Sequence, residues 1–208
     1  MDIFKEALRY LGYGRNEADE EVNKKFNECY EALEKAVMPK SVVYECDIDV
    51  NNGIIKAGNV TVKSNNLSKN LMGCKRAVFM AATLGQGADM LIRRLSKTDM
   101  PMAVIADALA TAMIEEYCDE ICLNLKSKGY NLRPRFSPGY GDFDIIHQKD
   151  FINILDCYKK IGLAVTDGLM LAPSKSVTAI MGISDKDDKC TISGCEVCEK
   201  TDCSYRRG

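Results

Sequence analysis

Val42-Val43-Tyr44-Glu45-Cys46-Asp47-Ile48, Asn51-Asn52-Gly53, Ile54-Ile55-Lys56-Ala57 and Val60-Thr61-Val62 make up the stretch that decides the fold. β-Branched residues crowd its apolar pieces, and the Asn-Gly pair sits where a tight hairpin turn needs residues that accept positive φ. The spacing predicts three short strands joined by turns too tight for crossover helices. Working outward, Ala77 to Leu84 is an apolar run closed by Gly85 and Gly87, the pattern of a buried strand. Further strands are expected at Gly168–Leu171 and Ser176–Ile183. Helical spacing marks residues 3–11, stopped by Gly12 and Gly14, and residues 18–37, stopped by Pro39. Helices are also expected at 88–96, at 101–126 with Asp99 as cap and Pro101 in the first turn, and at 149–161. Strands that come in pairs with short connections predict an α+β domain with a largely antiparallel, twisted sheet and flanking helices.

The chain has 208 residues, enough for one sizeable core. A hydrophobic fraction of 46% beside 28% charged residues is that of a globular protein. The net charge of −2 and pI near 5.6 exclude the electrostatic footprint of a nucleic-acid or membrane-surface binder. No apolar run approaches the ~20 residues of a bilayer span, and MDIFKEALRY lacks a signal peptide's apolar segment. A cytoplasmic placement is therefore expected. Composition shifts after Ser184, where Asp185-Lys186-Asp187-Asp188-Lys189 forms a charged hinge. The expected organisation is a body, residues 1–184, and a cysteine-rich tail, residues 185–208.

Within the body, the loop Arg133-Pro134-Arg135-Phe136-Ser137-Pro138-Gly139-Tyr140-Gly141-Asp142-Phe143 stands out. Its prolines stiffen it, and its glycines let the backbone approach a ligand. Arg135 offers a forked donor for a carboxylate, and Tyr140 an aromatic face with a hydroxyl. These groups suit a ligand that is part amino acid and part nucleoside, although a purely structural surface loop has the same composition. His147, the single histidine, has no evident catalytic partner and reads as a surface residue.

Arg135-Phe136-Ser137-Pro138-Gly139-Tyr140, the helix ending at Ile161-Gly162, and Pro173-Ser174-Lys175-Ser176-Val177 together resemble the activation domain of cobalamin-dependent methionine synthase. That family carries an Arg-Pro-Ala-Pro-Gly-Tyr loop, a helix ending in Ile-Gly, and a Pro-x-x-Ser-Val strand in the same order. Asp107-Ala108-Leu109-Ala110 is similar to its Asp-x-Leu-Ala, and Ala81-Ala82-Thr83-Leu84-Gly85 and Leu8-Arg9-Tyr10-Leu11-Gly12-Tyr13 look like segments of its short members. The resemblance implies S-adenosylmethionine binding by Arg135, Ser137, Gly139 and Tyr140. The family's helix glutamate falls near Thr111 here, so Glu115 or Glu116 is the substitute, and Glu115 is taken as the fifth site residue. An aromatic on the last strand is replaced by an aliphatic around Ile180 or Met181. The implied function is reductive methylation of a Co(II) corrinoid carried by a separate methionine synthase core or another corrinoid protein, with an electron-donor protein. It is positioning chemistry, with the hard step left to the cobalamin. Two other readings are a non-catalytic corrinoid-protein-binding module and a redox- or metal-sensing protein.

The tail carries Cys190-x4-Cys195-x2-Cys198-x4-Cys203. Four thiols within 14 residues can close around one ion or a small cluster, with Gly194 as the turn. Zinc would staple a segment too polar for a core, and an iron–sulfur cluster would supply an electron. The other six cysteines read as small buried apolar residues.

Overall fold

The computed structural model describes residues 2–13, 18–58 and 60–184. The tail cysteines Cys190, Cys195, Cys198 and Cys203 lie outside the described residues, as does the division at residue 184/185. Helices α1 (Ile3–Tyr10) and α2 (Glu20–Ala36) precede strands β1 (Lys40–Asn51), β2 (Ile54–Ala57) and β3 (Val60–Lys63). After helix α3 (Asn65–Asn70) come β4 (Arg76–Thr83), α4 (Gln86–Thr98) and α5 (Met100–Ser127). The second half holds α6 (Gln148–Leu155), α7 (Cys157–Ile161), β5 (Ala164–Val165), β6 (Leu171–Ala172) and β7 (Ser176–Ile183).

Five strands form one sheet in the order β3-β2-β1-β4-β7, every pair antiparallel. Asn51 pairs with Ile54 across Asn52 and Gly53, both at positive φ, as the Asn-Gly signal demands. Strand β4 is buried along seven of its eight residues because helices cover both faces. On one face Val78, Met80 and Ala82 pack with α1, α2, α4 and α5; on the other Ala77, Phe79 and Ala81 pack with Leu67, Phe151 and Leu155. This alternation explains why β4 reads as an apolar run: period two disappears when both sides are core. Asp99 caps α5 by accepting from Met102 N at 3.1 Å, with Pro101 in the first turn.

The sequence expectation departs from the structure in three places. The helix expected at 149–161 is broken at Asp156, whose φ of 50° lies in the left-handed region, giving α6 and α7. The strand expected at Gly168–Leu171 is mostly a turn, closed by Thr166 N–H to Met170 O and turned by Leu169 at φ 61°; its flanks pair instead as the β5–β6 hairpin. Helix α3 was not expected, although Ser64 accepts from Leu67 N at 3.0 Å in an ordinary cap.

Candidate functional site

The loop after α5 first runs along the outer edge of β7. Arg133 N–H donates to Gly182 O, and Phe136 and Ile180 exchange two backbone hydrogen bonds of 3.0 and 2.9 Å. At Ser137 the chain leaves that edge. Tyr140 N–H donates to Ser137 O, and Gly139, at φ 94°, donates to Phe143 O. Phe143 then plugs into the second core, stacked on Phe136 and tilted against Phe151. The loop is thus anchored at both ends by backbone pairing and an aromatic plug, and its tip projects.

Helix α3 braces the loop from behind. The Asp142 carboxylate accepts from Ser64 Oγ at 2.5 Å, Asn65 N at 2.7 Å and Asn66 N at 3.0 Å. Asn70 Nδ2 donates to Pro134 O at 3.3 Å. Gly141, at φ 54°, lies so close to the Asn66 amide that a Cβ there would overlap it. The Ser64 hydroxyl and the two backbone N–H groups hold the Asp142 carboxyl below the usual carboxylate range.

Where the loop leaves β7, a groove of about 280 Å³ opens. Glu115 from α5, Ser137, Pro138 and Tyr140 from the loop, Met170 from the β5–β6 turn and Thr178 from β7 line it. Gln148, Ser174 and Ser176 add further neutral polar groups. Three of the five expected site residues, Glu115, Ser137 and Tyr140, therefore meet here from separate elements. Gly139 forms the turn that supports Tyr140. Arg135 lies behind the lining: its Nη2 donates to Glu115 at 3.0 Å and to Asp119 at 2.9 Å, while Nη1 is buried without a hydrogen-bond partner. Glu115 reaches the groove, and Glu116 is not among its lining residues. Ile180 and Met181 are both buried in the cores, so neither offers the groove a side chain. Gln148, Ser174, Ser176 and Thr178 were missed because their order in sequence carries no sign of a shared groove.

A larger cavity, about 540 Å³, lies among α1, α4 and α5 and is mostly apolar. Of its polar members, Asp107 and Thr111 are engaged by Lys175 Nζ at 2.8 and 2.9 Å, and Ser96 Oγ donates to Arg93 O. In the smaller groove Glu115, Ser174 and Ser176 are engaged as well, by Arg135, Asp89 and Thr83, whereas the Thr178 hydroxyl is buried without a partner; that unmet group beside the converging loop favours the smaller groove as the ligand site.

His147 is not the open surface residue its position suggested. Its side chain is 18% exposed, its Nδ1 lies 2.7 Å from Asp150, and its ring tilts against Phe143. Burial pushes the Cys118 thiol up to about 12 despite the nearby Arg135, and the Cys29 and Cys157 thiols up to about 11. Those three are inert core residues at neutral pH. Among the described residues no group of three or more His, Cys, Asp or Glu side chains is arranged to hold a metal ion, and no helix is long and apolar enough to cross a membrane.

No protein-family model matches the chain, and no curated protein matches it. Among solved structures it is similar to the MetH reactivation domain bound to AdoHcy, with a TM-score of 0.60 and 16% sequence identity. That match covers 80% of this chain and 66% of the other. The likeness establishes an α+β fold related to that of a MetH reactivation domain.

Proposed function

We propose that this chain binds S-adenosylmethionine in the Glu115–Ser137–Tyr140 groove and presents its methyl group to a corrinoid held by a separate protein. The observation that carries the reading is the convergence of Glu115, Ser137 and Tyr140 on one groove in a fold like that of an AdoHcy-bound reactivation domain. The chemistry balances with one electron from a separate donor. Co(II) becomes Co(I), Co(I) attacks the sulfonium methyl, the S–CH3 bond breaks, and methyl-Co(III) and S-adenosylhomocysteine result. The protein's part is to position the donor and exclude water.

In this reading Glu115, held by Arg135, faces the ammonium group of the ligand, and Tyr140 covers the ligand with an aromatic face. Tyr140 is 58% exposed and Met170 67% exposed, so the site opens outward and leaves a methyl group accessible to a docking partner. The tail cysteines Cys190, Cys195, Cys198 and Cys203 would add a zinc or iron–sulfur site. Calorimetry tests the binding step directly. Wild-type protein should bind S-adenosylmethionine and S-adenosylhomocysteine, and Tyr140→Ala should bind both more weakly. An absence of heat at millimolar ligand, with and without a corrinoid partner, would refute it.

A further inference from the structure

Strand β7 is an edge strand only along part of its length. Antiparallel pairing alternates, so every second residue directs both its N–H and its C=O to the same neighbour. Ile180 sends both groups outward to Phe136, and Gly182 O receives Arg133 N–H. Thr178, two residues before Ile180, must therefore direct its own N–H and C=O outward as well. There the loop has already turned away at Ser137, and the edge is open. Among the described residues no turn or loop backbone group meets the Thr178 N–H or C=O. The residue is only 2% exposed, and its hydroxyl is buried without a hydrogen-bond partner. It lines the groove opposite the β5–β6 hairpin.

Three uncommitted polar groups on one buried residue are costly unless something completes them. Elsewhere on this edge the chain supplies the partner itself. An open strand edge with an adjacent donor and acceptor matches a planar ligand edge presenting an acceptor and a donor side by side. Glu115 is the one carboxylate in the lining, and the groups around Thr178 (Ser137, Ser176 and Gln148) are neutral. A neutral, flat heteroaromatic edge suits the groups around Thr178, and a cationic group suits Glu115. We infer that Thr178 reads the nucleobase: its backbone C=O takes the exocyclic amino group of an adenine, and its N–H donates to the neighbouring ring nitrogen. The inference rests on the proposed S-adenosylmethionine site and adds the element that would select adenine.

Amide-resolved NMR on the labelled full chain, titrated with S-adenosylhomocysteine, is the test. The Thr178 amide should shift, and its hydrogen exchange should slow about tenfold or more as a new hydrogen bond forms. S-inosylhomocysteine, which replaces the amino donor with a carbonyl acceptor, should bind roughly tenfold or more weakly, because a mismatched polar pair is left buried. Ligand bound with an unmoved Thr178 amide, or equal affinity for the inosine analogue, overturns this inference and leaves the proposed function standing. No binding of S-adenosylhomocysteine at millimolar concentration overturns both.

Discussion

Arg135 shows how a residue chosen for one contact can serve through another. The sequence places a guanidinium where it could meet a ligand carboxylate, whereas the structure commits its Nη2 to Glu115 and Asp119. Asp119 is about half exposed and contributes little, so the bond that matters is to Glu115, whose side chain is 29% exposed. Arg135→Ala should free Glu115 and lower stability by about 1.5–3 kcal/mol, the range for hydrogen bonds to charged groups. It should also weaken S-adenosylmethionine binding roughly tenfold or more, and Arg135→Lys should not restore it because an ammonium cannot present the same fork. Denaturant melts with calorimetry on both variants check this; full binding by Arg135→Ala would remove Arg135 from the site.

Asp142 gives a pH-dependent counterpart. Its carboxyl is held below the usual range by Ser64 and two backbone N–H groups, so the folded state takes up a proton less readily than the unfolded chain. The stability this adds is fully present above the ordinary carboxylate pKa of about 4 and is lost as pH falls through the lower folded value. Asp142→Asn should therefore melt below wild type at pH 7, and the gap should close as the solution is acidified below pH ~4. A gap that stays constant down to pH 2 would show that the carboxylate charge is not what braces the loop.

At the scale of elements, helix packing depends on small residues at close approaches. Gly87 in α4 lies against the carbonyl of Ala36 at the end of α2, and a Cβ there would overlap that oxygen. Gly87→Ala should cost about 2 kcal/mol or more, the size of an overpacking penalty, since the obstacle is backbone. A chemical melt settles it; a stable variant would mean that α2 can shift freely. Elements of the sheet were legible because their signals are local: Asn52-Gly53 dictates a tight turn, and β-branched runs dictate β2, β3 and β7. Asp156 was not legible as a helix break, because an aspartate in an apolar-periodic run usually stays helical. Nor was α3, whose six residues are too few for a period to show and whose brace, Asp142, lies 76 to 78 positions away. The site divided along the same line. Loop residues Ser137 and Tyr140 were visible in sequence, whereas Thr178 acquires its role only from a chain that departs the edge of β7.

Over the described residues the molecule is a sheet whose β4–β7 part is clad on both faces, and the groove sits where loop, edge strand, hairpin and long helix meet at one margin. A site at such a margin can face a second protein while the cores stay closed. The four tail cysteines carry a separate expectation. Anaerobically isolated protein should hold about one metal site per chain, and Cys195→Ala with Cys198→Ala should abolish it. Metal-free protein with four freely titrating tail thiols would contradict it. The claim that joins fold, groove and partner is methyl transfer to a corrinoid on another chain. The visible spectrum of a Co(II) methionine synthase core, followed over time with a low-potential reductant and S-adenosylmethionine, tests it most directly. With this protein present the spectrum should convert to that of methyl-Co(III), and without it the Co(II) spectrum should persist; equal conversion in both, across several corrinoid partners, would contradict the account.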